Sequence, residues 1–330
     1  GWTQCGGHGP MTSAYGLGSD NVLEFQVVTA DGELKIANAV ANPDLFWALR
    51  GGCGGTFGIV TQATVRAFPS PKFTVTKFAL NASTPEQLIE PMAYLHAQMP
   101  DLSDKGVQGY YVAFPKQFIG TFHTHMKRGI IGEPVLDWWT GKYRARNAHV
   151  RRHGPGESAA KGSQSMGKQP GDGRLLSKEN LQSPKFAAAL KEAMPSAPGK
   201  MMRGAMVGGG EVMKRSPTET SVHPSWRKTY VSIWSDKDVN AFIDLSPGMG
   251  AYINEASYNA TNWQETFWGS NYAKLSEVKA KVDPDMLFFV SPGINAEMMT
   301  VNEKGAVCRA ASVNKNSKYP PPSDNANVSG

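Results

Sequence analysis

Two dense glycine runs near the start of the chain limit what it can build. The first is Gly6-Gly7-His8-Gly9 with Gly16 and Gly18. The second is Gly51-Gly52-Cys53-Gly54-Gly55 with Gly58. Glycine lets a backbone approach a ligand closely and offer N–H groups to a phosphate or a flat ring. A Rossmann nucleotide loop fails on inspection. No G-x-G-x-x-G is present, and the second run leads into the strand-forming Ile59-Val60-Thr61, whereas that loop must open a helix. The P-loop pattern is absent too. On composition alone, tight turns in a β-rich protein account for both runs as well as a cofactor site does.

The chain has 330 residues, enough for one large domain or two ordinary ones. Hydrophobic residues make up 40% and charged residues 19%, so a sizeable core is expected. The net charge of +6 is a modest excess and does not imply nucleic acid. Three cysteines, Cys5, Cys53 and Cys308, are too few for a disulfide scaffold and wrongly spaced for zinc. Cys5 and Cys53 each interrupt a glycine run and read as small residues in tight loops. Asn-x-Ser/Thr sequons at Asn81, Asn259 and Asn327 give secretion some weight. No run is long and apolar enough to span a membrane, and no signal peptide is visible. The chain opens at Gly1 inside a glycine pattern, and we expect a segment upstream of it.

Along the chain, Val22 to Thr29 and Leu34 to Ala37 flank Asp31-Gly32, the composition of a hairpin. Asn42-Pro43-Asp44 opens a short helix with Leu45, Phe46 and Leu49 on its apolar face. Ile59 to Val65 and Phe73 to Leu80 read as strands. Thr84-Pro85-Glu86 opens a helix bearing Leu88, Ile89, Met92 and Leu95. Val107 to Phe114, Phe118 to His125, Met201 to Val207 and Lys228 to Trp234 are strand-like. Residues 183–194 form a helix, and Ser235-Asp236 caps another. The arginine-rich stretch 141–173 reads as a solvated loop or insert. Tyr272, Leu275, Val278 and Val282 form one helix face, closed by Asp283-Pro284. Leu287 to Val290 is a candidate short strand. The tail from Asn314 is expected to fray.

The order of motifs adds a resemblance. Gly1-Trp2-Thr3-Gln4-Cys5-Gly6-Gly7-His8-Gly9-Pro10 comes first, then Tyr15-Gly16-Leu17-Gly18-Ser19-Asp20-Asn21-Val22-Leu23-Glu24. Asn42-Pro43-Asp44-Leu45-Phe46-Trp47-Ala48-Leu49-Arg50-Gly51-Gly52 and Gly55-Thr56-Phe57-Gly58-Ile59-Val60-Thr61 follow. The series resembles the second half of the FAD-binding domain in berberine-bridge-enzyme-like oxidases of the vanillyl-alcohol-oxidase/PCMH-type superfamily. Arg174-Leu175-Leu176-Ser177, Gly208-Gly209-Gly210, Tyr252-Ile253-Asn254-Glu255, Asn271-Tyr272-Ala273-Lys274-Leu275 and Lys281-Val282-Asp283-Pro284 are similar to later family segments.

The resemblance implies an α+β fold: a PCMH-type FAD-binding domain, second half only, plus an antiparallel-sheet substrate domain backed by helices. Residues 1–70 would belong to the first and 71–268 to the second, with 269–310 returning to the FAD domain and 311–330 a flexible tail. It implies FAD as cofactor, with Gly6, Gly7, His8, Gly9, Gly16, Gly18, Gly54, Gly55, Gly58, Ile59 and Asn271 as candidate contacts. It also implies hydride removal from a C–H beside a hydroxyl or amine, with a small-molecule substrate and oxygen as acceptor. The arginine-rich loop lacks interleaved aromatics and no apolar run spans a membrane, so no nucleic-acid or membrane partner is expected.

Three departures stand out. The family's flavin-linked histidine lies in a loop upstream of Gly1, so the 330 residues alone are expected to hold FAD loosely. Cys5 stands too close to His8 to match the cysteine that links flavin in some members. Glu255 stands where many members carry a tyrosine base. Glu255 and Asn254 are therefore the catalytic candidates, with Tyr110 and Tyr111 on a roofing strand where only one can face the ring. His123 and His125 share a strand face, but a polar sheet face explains them better than a metal pair, so no metal is expected. His149 and His153 read as solvated. The alternative to an oxidase is a truncated, non-catalytic chain or interaction module lacking a complete flavin site.

Overall fold

Asp31-Gly32 turns the expected hairpin. Gly32 adopts φ +80°, and β1 (Val22–Val28) pairs antiparallel with β2 (Leu34–Asn38). β3 (Ile59–Val65) joins the other edge of β1. The structure, a computed structural model, describes residues 1–125, 151–153, 172–257, 259–260, 262–302 and 305–310. Phe25 and Val27 face inward and pack with Leu45, Phe46 and Leu49 of the helix Pro43–Leu49. Trp268, Tyr272 and Leu275 complete this core, the last two from the helix Tyr272–Val282. Asn42 is not a side-chain cap. It sits in the left-handed region at φ 48° and gives its amide to the Ile36 carbonyl.

The larger sheet contains β4 (Phe73–Asn81), β5 (Val107–Phe114), β6 (Gln117–His125), β7 (Arg151–His153), β8 (Asp172–Ser177), β9 (Met202–Met206) and β10 (Thr229–Ser235). Their spatial order is β7-β4-β6-β5-β9-β10-β8, each neighbouring pair antiparallel. Helices Glu86–Asp104, Phe186–Ala193 and Asn240–Leu245 cover one face, where Leu88, Met92, Phe118, Leu190, Ile233 and Phe242 meet. The opposite face carries the row Tyr110, Ala205, Ser232 and Leu175 across β5, β9, β10 and β8, set by direct Cα pairing. Side chains alternate faces along a strand, so this register decides which residues meet the loops of the small sheet. Leu175, Ala205 and Trp234 pack there against Cys5, Leu17 and Cys53.

The expected helix at Glu86 is present and runs to Asp104, through Pro91 and Pro100. Several other expectations are corrected. Ser235 does not cap a helix. Its hydroxyl donates to the Ala193 carbonyl, and the next helix starts at Asn240. Leu287 to Val290 is not a strand, because the Leu287 and Phe288 amides donate to the Asp283 carboxylate. Within 141–173, Arg151–His153 pairs with β4 and Asp172-Gly173 begins β8, so His153 is in a strand. The rest of that stretch, with His149, lies outside the described residues, as does the tail with Asn327. Among the described residues, no helix is long and apolar enough to cross a membrane.

Candidate active site

The two glycine runs are stitched together. Cys5 and Cys53 form a disulfide with Cα atoms 4.3 Å apart, and the Cys53 amide donates to the Gln4 carbonyl at 3.1 Å. Reading these cysteines as small loop residues missed this. The signal was present: one cysteine stood in each of two runs of the same type. Gly6 and Gly7 adopt φ +121° and +79°, and the Ser19 and Gly18 amides donate back to their carbonyls at 2.8 and 2.7 Å. The Trp2 indole lies where a Cβ on Gly7 or Gly18 would stand. Gly16, Gly18 and Gly58 serve the loops' own close packing, Gly58 against the β1 backbone at Val28.

His8 projects from the first loop toward the larger sheet. Its Nε2 lies 2.8 Å from Oε1 of Glu255, with side chains 6% and 20% exposed. Three rings surround the imidazole: Tyr110 at 6.0 Å between centroids, Trp226 at 6.3 Å and Tyr252 at 5.4 Å. Ser232 Oγ lies 3.5 Å from Oε2 of Glu255. Asn254 is exposed and donates its amide to the Tyr252 hydroxyl at 2.7 Å. Burial, then the Glu255 charge and Tyr252, raise the Tyr110 phenol well above its ordinary value. Burial and Glu255 push Tyr252 up to about 12, although the Asn254 hydrogen bond opposes the rise. Both phenols are therefore proton-bearing groups at neutral pH and poor bases.

Tyr111 does not belong to the site. It is 2% exposed on the helix-covered face, where its hydroxyl meets Nε2 of His96 at 2.6 Å. The period-two alternation of β5 that sends Tyr110 to the loops sends Tyr111 to the core. Asn271 is also turned inward, its amide donating to the Val222 carbonyl at 2.7 Å. Ile59 begins β3 and is exposed. The sequence reading missed Trp226, Tyr252 and Ser232 as neighbours of the base. Strand register brings Ser232 there, the turn of helix before β10 brings Trp226, and the return of the chain after residue 250 brings Tyr252.

Two buried ion pairs fix the site's frame. Arg227 grips both oxygens of Asp20 at 2.8 Å and donates to Thr220 at 2.9 Å, tying the first loop to the segment that carries Trp226. Lys279 pairs with Asp283 and donates to the Thr56 carbonyl at 2.6 Å and the Phe288 carbonyl at 2.8 Å. The closing helix therefore holds the second loop. Such pairs are worth most as geometric locks, since desolvation offsets much of their attraction.

Comparison with known proteins identifies the lineage. A family model described as berberine and berberine-like matches residues 251–295. An uncharacterized FAD-linked oxidoreductase of Arthroderma benhamiae is 33% identical over 94% of this chain and 60% of its own. The FAD-linked oxidoreductase easE of the same organism is 30% identical over 92% of this chain and 69% of its own. The chain belongs to the berberine-like FAD-linked oxidoreductases. It spans about 60% of the length of the first relatives it matches. The crystal structure of the VAO-type flavoprotein MtVAO615 from Myceliophthora thermophila C1 superposes with a TM-score of 0.80 at 27% identity, covering 94% of this chain and 63% of that one.

FAD is the cofactor of this family, and the loop residues fit it. A Cβ on Gly9 would meet no atom within 4 Å, so the backbone beside His8 borders open space. Gly55 takes φ +76° in the disulfide-linked second loop. On the same side of the large sheet, His8 Nδ1 and Trp234 Nε1 are buried without hydrogen-bond partners among the described residues. Backbone at Gly9, Gly54 and Gly55, with His8 beside it, would hold the ring system in an FAD-linked oxidoreductase of this type.

Proposed function

We propose that the protein is an oxidase of small molecules, removing hydride from a carbon that bears a hydroxyl or amine and passing electrons to oxygen. FAD, when bound, supplies the two-electron acceptor. The chain's own contribution is to accept the substrate's hydroxyl or amine proton on Glu255 and to keep water from the reacting atoms. The Glu255 carboxylate in its aromatic enclosure carries this reading. It is the acidic group facing the glycine loops, and both nearby phenols are pushed away from the basic range. The aromatic wall of Tyr110, Trp226 and Tyr252 suits a substrate with an apolar face.

The test is anaerobic mixing of the full-length protein, kept saturated with FAD, with a panel of sugars, primary alcohols, amines and phenols. At least one should bleach the flavin absorbance, and Glu255→Gln should slow that bleaching by ~10²–10⁴-fold. Reoxidation by oxygen should stay nearly unchanged. Bleaching at the parent rate would remove Glu255 from the role of base.

We also propose secretion with N-glycans at Asn81 or Asn259. Both are exposed, and a disulfide such as Cys5–Cys53 persists best in an oxidising compartment. Intact mass before and after glycosidase treatment checks this, and an unchanged mass counts against it.

A further inference from the structure

We propose that His8 is a positioning residue for the base: its Nε2–H holds Oε1 of Glu255 across the junction of the two sheets, leaving Oε2 as the oxygen that takes the substrate's proton. This rests on Glu255 being the base. The 2.8 Å contact to Oε1 has the length of a charge-assisted hydrogen bond. The 3.5 Å contact from Ser232 to Oε2 is too long to engage that oxygen firmly. The two carboxylate oxygens are therefore unequal.

The tautomer follows from the surroundings. An ionised carboxylate only accepts, so the hydrogen facing it must be on Nε2. Nδ1 is buried with no partner among the described residues. A hydrogen on Nδ1 alone would turn the Nε2 lone pair toward the carboxylate, so the Glu255 contact requires one on Nε2. Glu255 is the one polar anchor of the ring among the described residues. Tyr110, Trp226 and Tyr252 fix the ring's remaining freedom.

The backbone behind His8 is also fixed. Its loop is tied to the second glycine run by the disulfide three residues earlier, and to Arg227 through Asp20. Base geometry is thereby slaved to the loops expected to touch the flavin. Glu255 itself arrives from the other side, on the segment after Tyr252. The titratable groups that face Glu255 are His8 from the loop, Tyr110 from β5 and Tyr252 from its own segment.

The experiment needs no substrate. The full chain with FAD is labelled with ¹³C at glutamate carboxyls and ¹⁵N in histidine rings, and the two signals are assigned by Glu255→Gln and His8→Gln. In the parent, His8 should show a protonated Nε2. In His8→Leu, the Glu255 carboxyl ¹³C signal should move away from its parent position, because the donor to Oε1 is gone. His8→Gln, whose amide can still donate, should recover much of that difference. A purely structural His8 would lower the melting temperature of both variants and leave the carboxyl signal in place, which overturns the proposal. The reading of Glu255 as the base fails separately, if Glu255→Gln bleaches the flavin at the parent rate.

Discussion

The two sheets are built from similar residues and held in different ways. The larger sheet is enclosed on one face by helices and on the other by the glycine loops, and β10 is buried along its whole length. The small sheet is covered on one side. In β3 only Val60 is even partly buried; Ile59 is 61% exposed, and Leu34 on β2 is 59% exposed. Ile59-Val60-Thr61 is as strand-prone as Val231-Ser232-Ile233. Pairing to β1 makes it a strand, and burial depends on what lies opposite. Apolar packing thus secures the larger sheet. The small sheet leans on the helices Pro43–Leu49 and Tyr272–Val282, and on the Cys5–Cys53, Arg227–Asp20 and Lys279–Asp283 ties at its loops.

The strongest test of that contrast is a pair of truncations. Phe118→Ala, at a fully buried ring of the larger sheet, should cost about 3–5 kcal/mol in chemical denaturation. Ile59→Ala, on exposed β3, should cost under ~0.5 kcal/mol. Equal losses would end the distinction.

Acid should act on the larger sheet through His96. Burial lowers its pKa to about 4, although the bond to the Met92 carbonyl opposes the shift. The unfolded chain therefore binds more protons than the folded one between about pH 6.5 and 4. Stability contributed by the neutral ring is intact above that window and falls as pH drops through it, by roughly 3 kcal/mol. Thermal melting across pH in the parent and His96→Gln measures this, and identical slopes would exclude His96 as the source. His223, also lowered to about 4 by burial, should leave a residual slope in the variant.

Removing the disulfide with Cys5→Ser and Cys53→Ser should cost roughly 2–3 kcal/mol. Hydrogen exchange should rise first in the glycine loops and β3, with little change in β10. Uniform acceleration would show that the two sheets open together. The smallest expected effect is electrostatic. Glu255→Gln removes a charge that raises Tyr110 and Tyr252, so their ultraviolet titration should begin at lower pH, by some tenths of a unit. An unmoved titration would place Glu255 farther from these rings in solution than its contacts imply.

Local chemistry made much of the architecture readable. Asp31-Gly32 specifies its hairpin, Pro43 the start of its helix, and the spacing of Tyr272, Leu275 and Val278 a helix face, because each signal operates within a few residues. The ordered glycine runs carried the family and its cofactor, since positive-φ and close-approach positions tolerate little else. Glu255, His8 and Tyr110 could be named as candidates from residue type and motif order. Their meeting could not, because 247 residues separate the partners of the His8–Glu255 pair. Which of Tyr110 and Tyr111 faces the loops was undecidable until register fixed β5 against β9. The same holds for Cys5 with Cys53 and Asp20 with Arg227. A side chain's type and its local backbone are written in sequence, whereas its partner is chosen by the packing of segments far apart in the chain, and only the tertiary structure decides that.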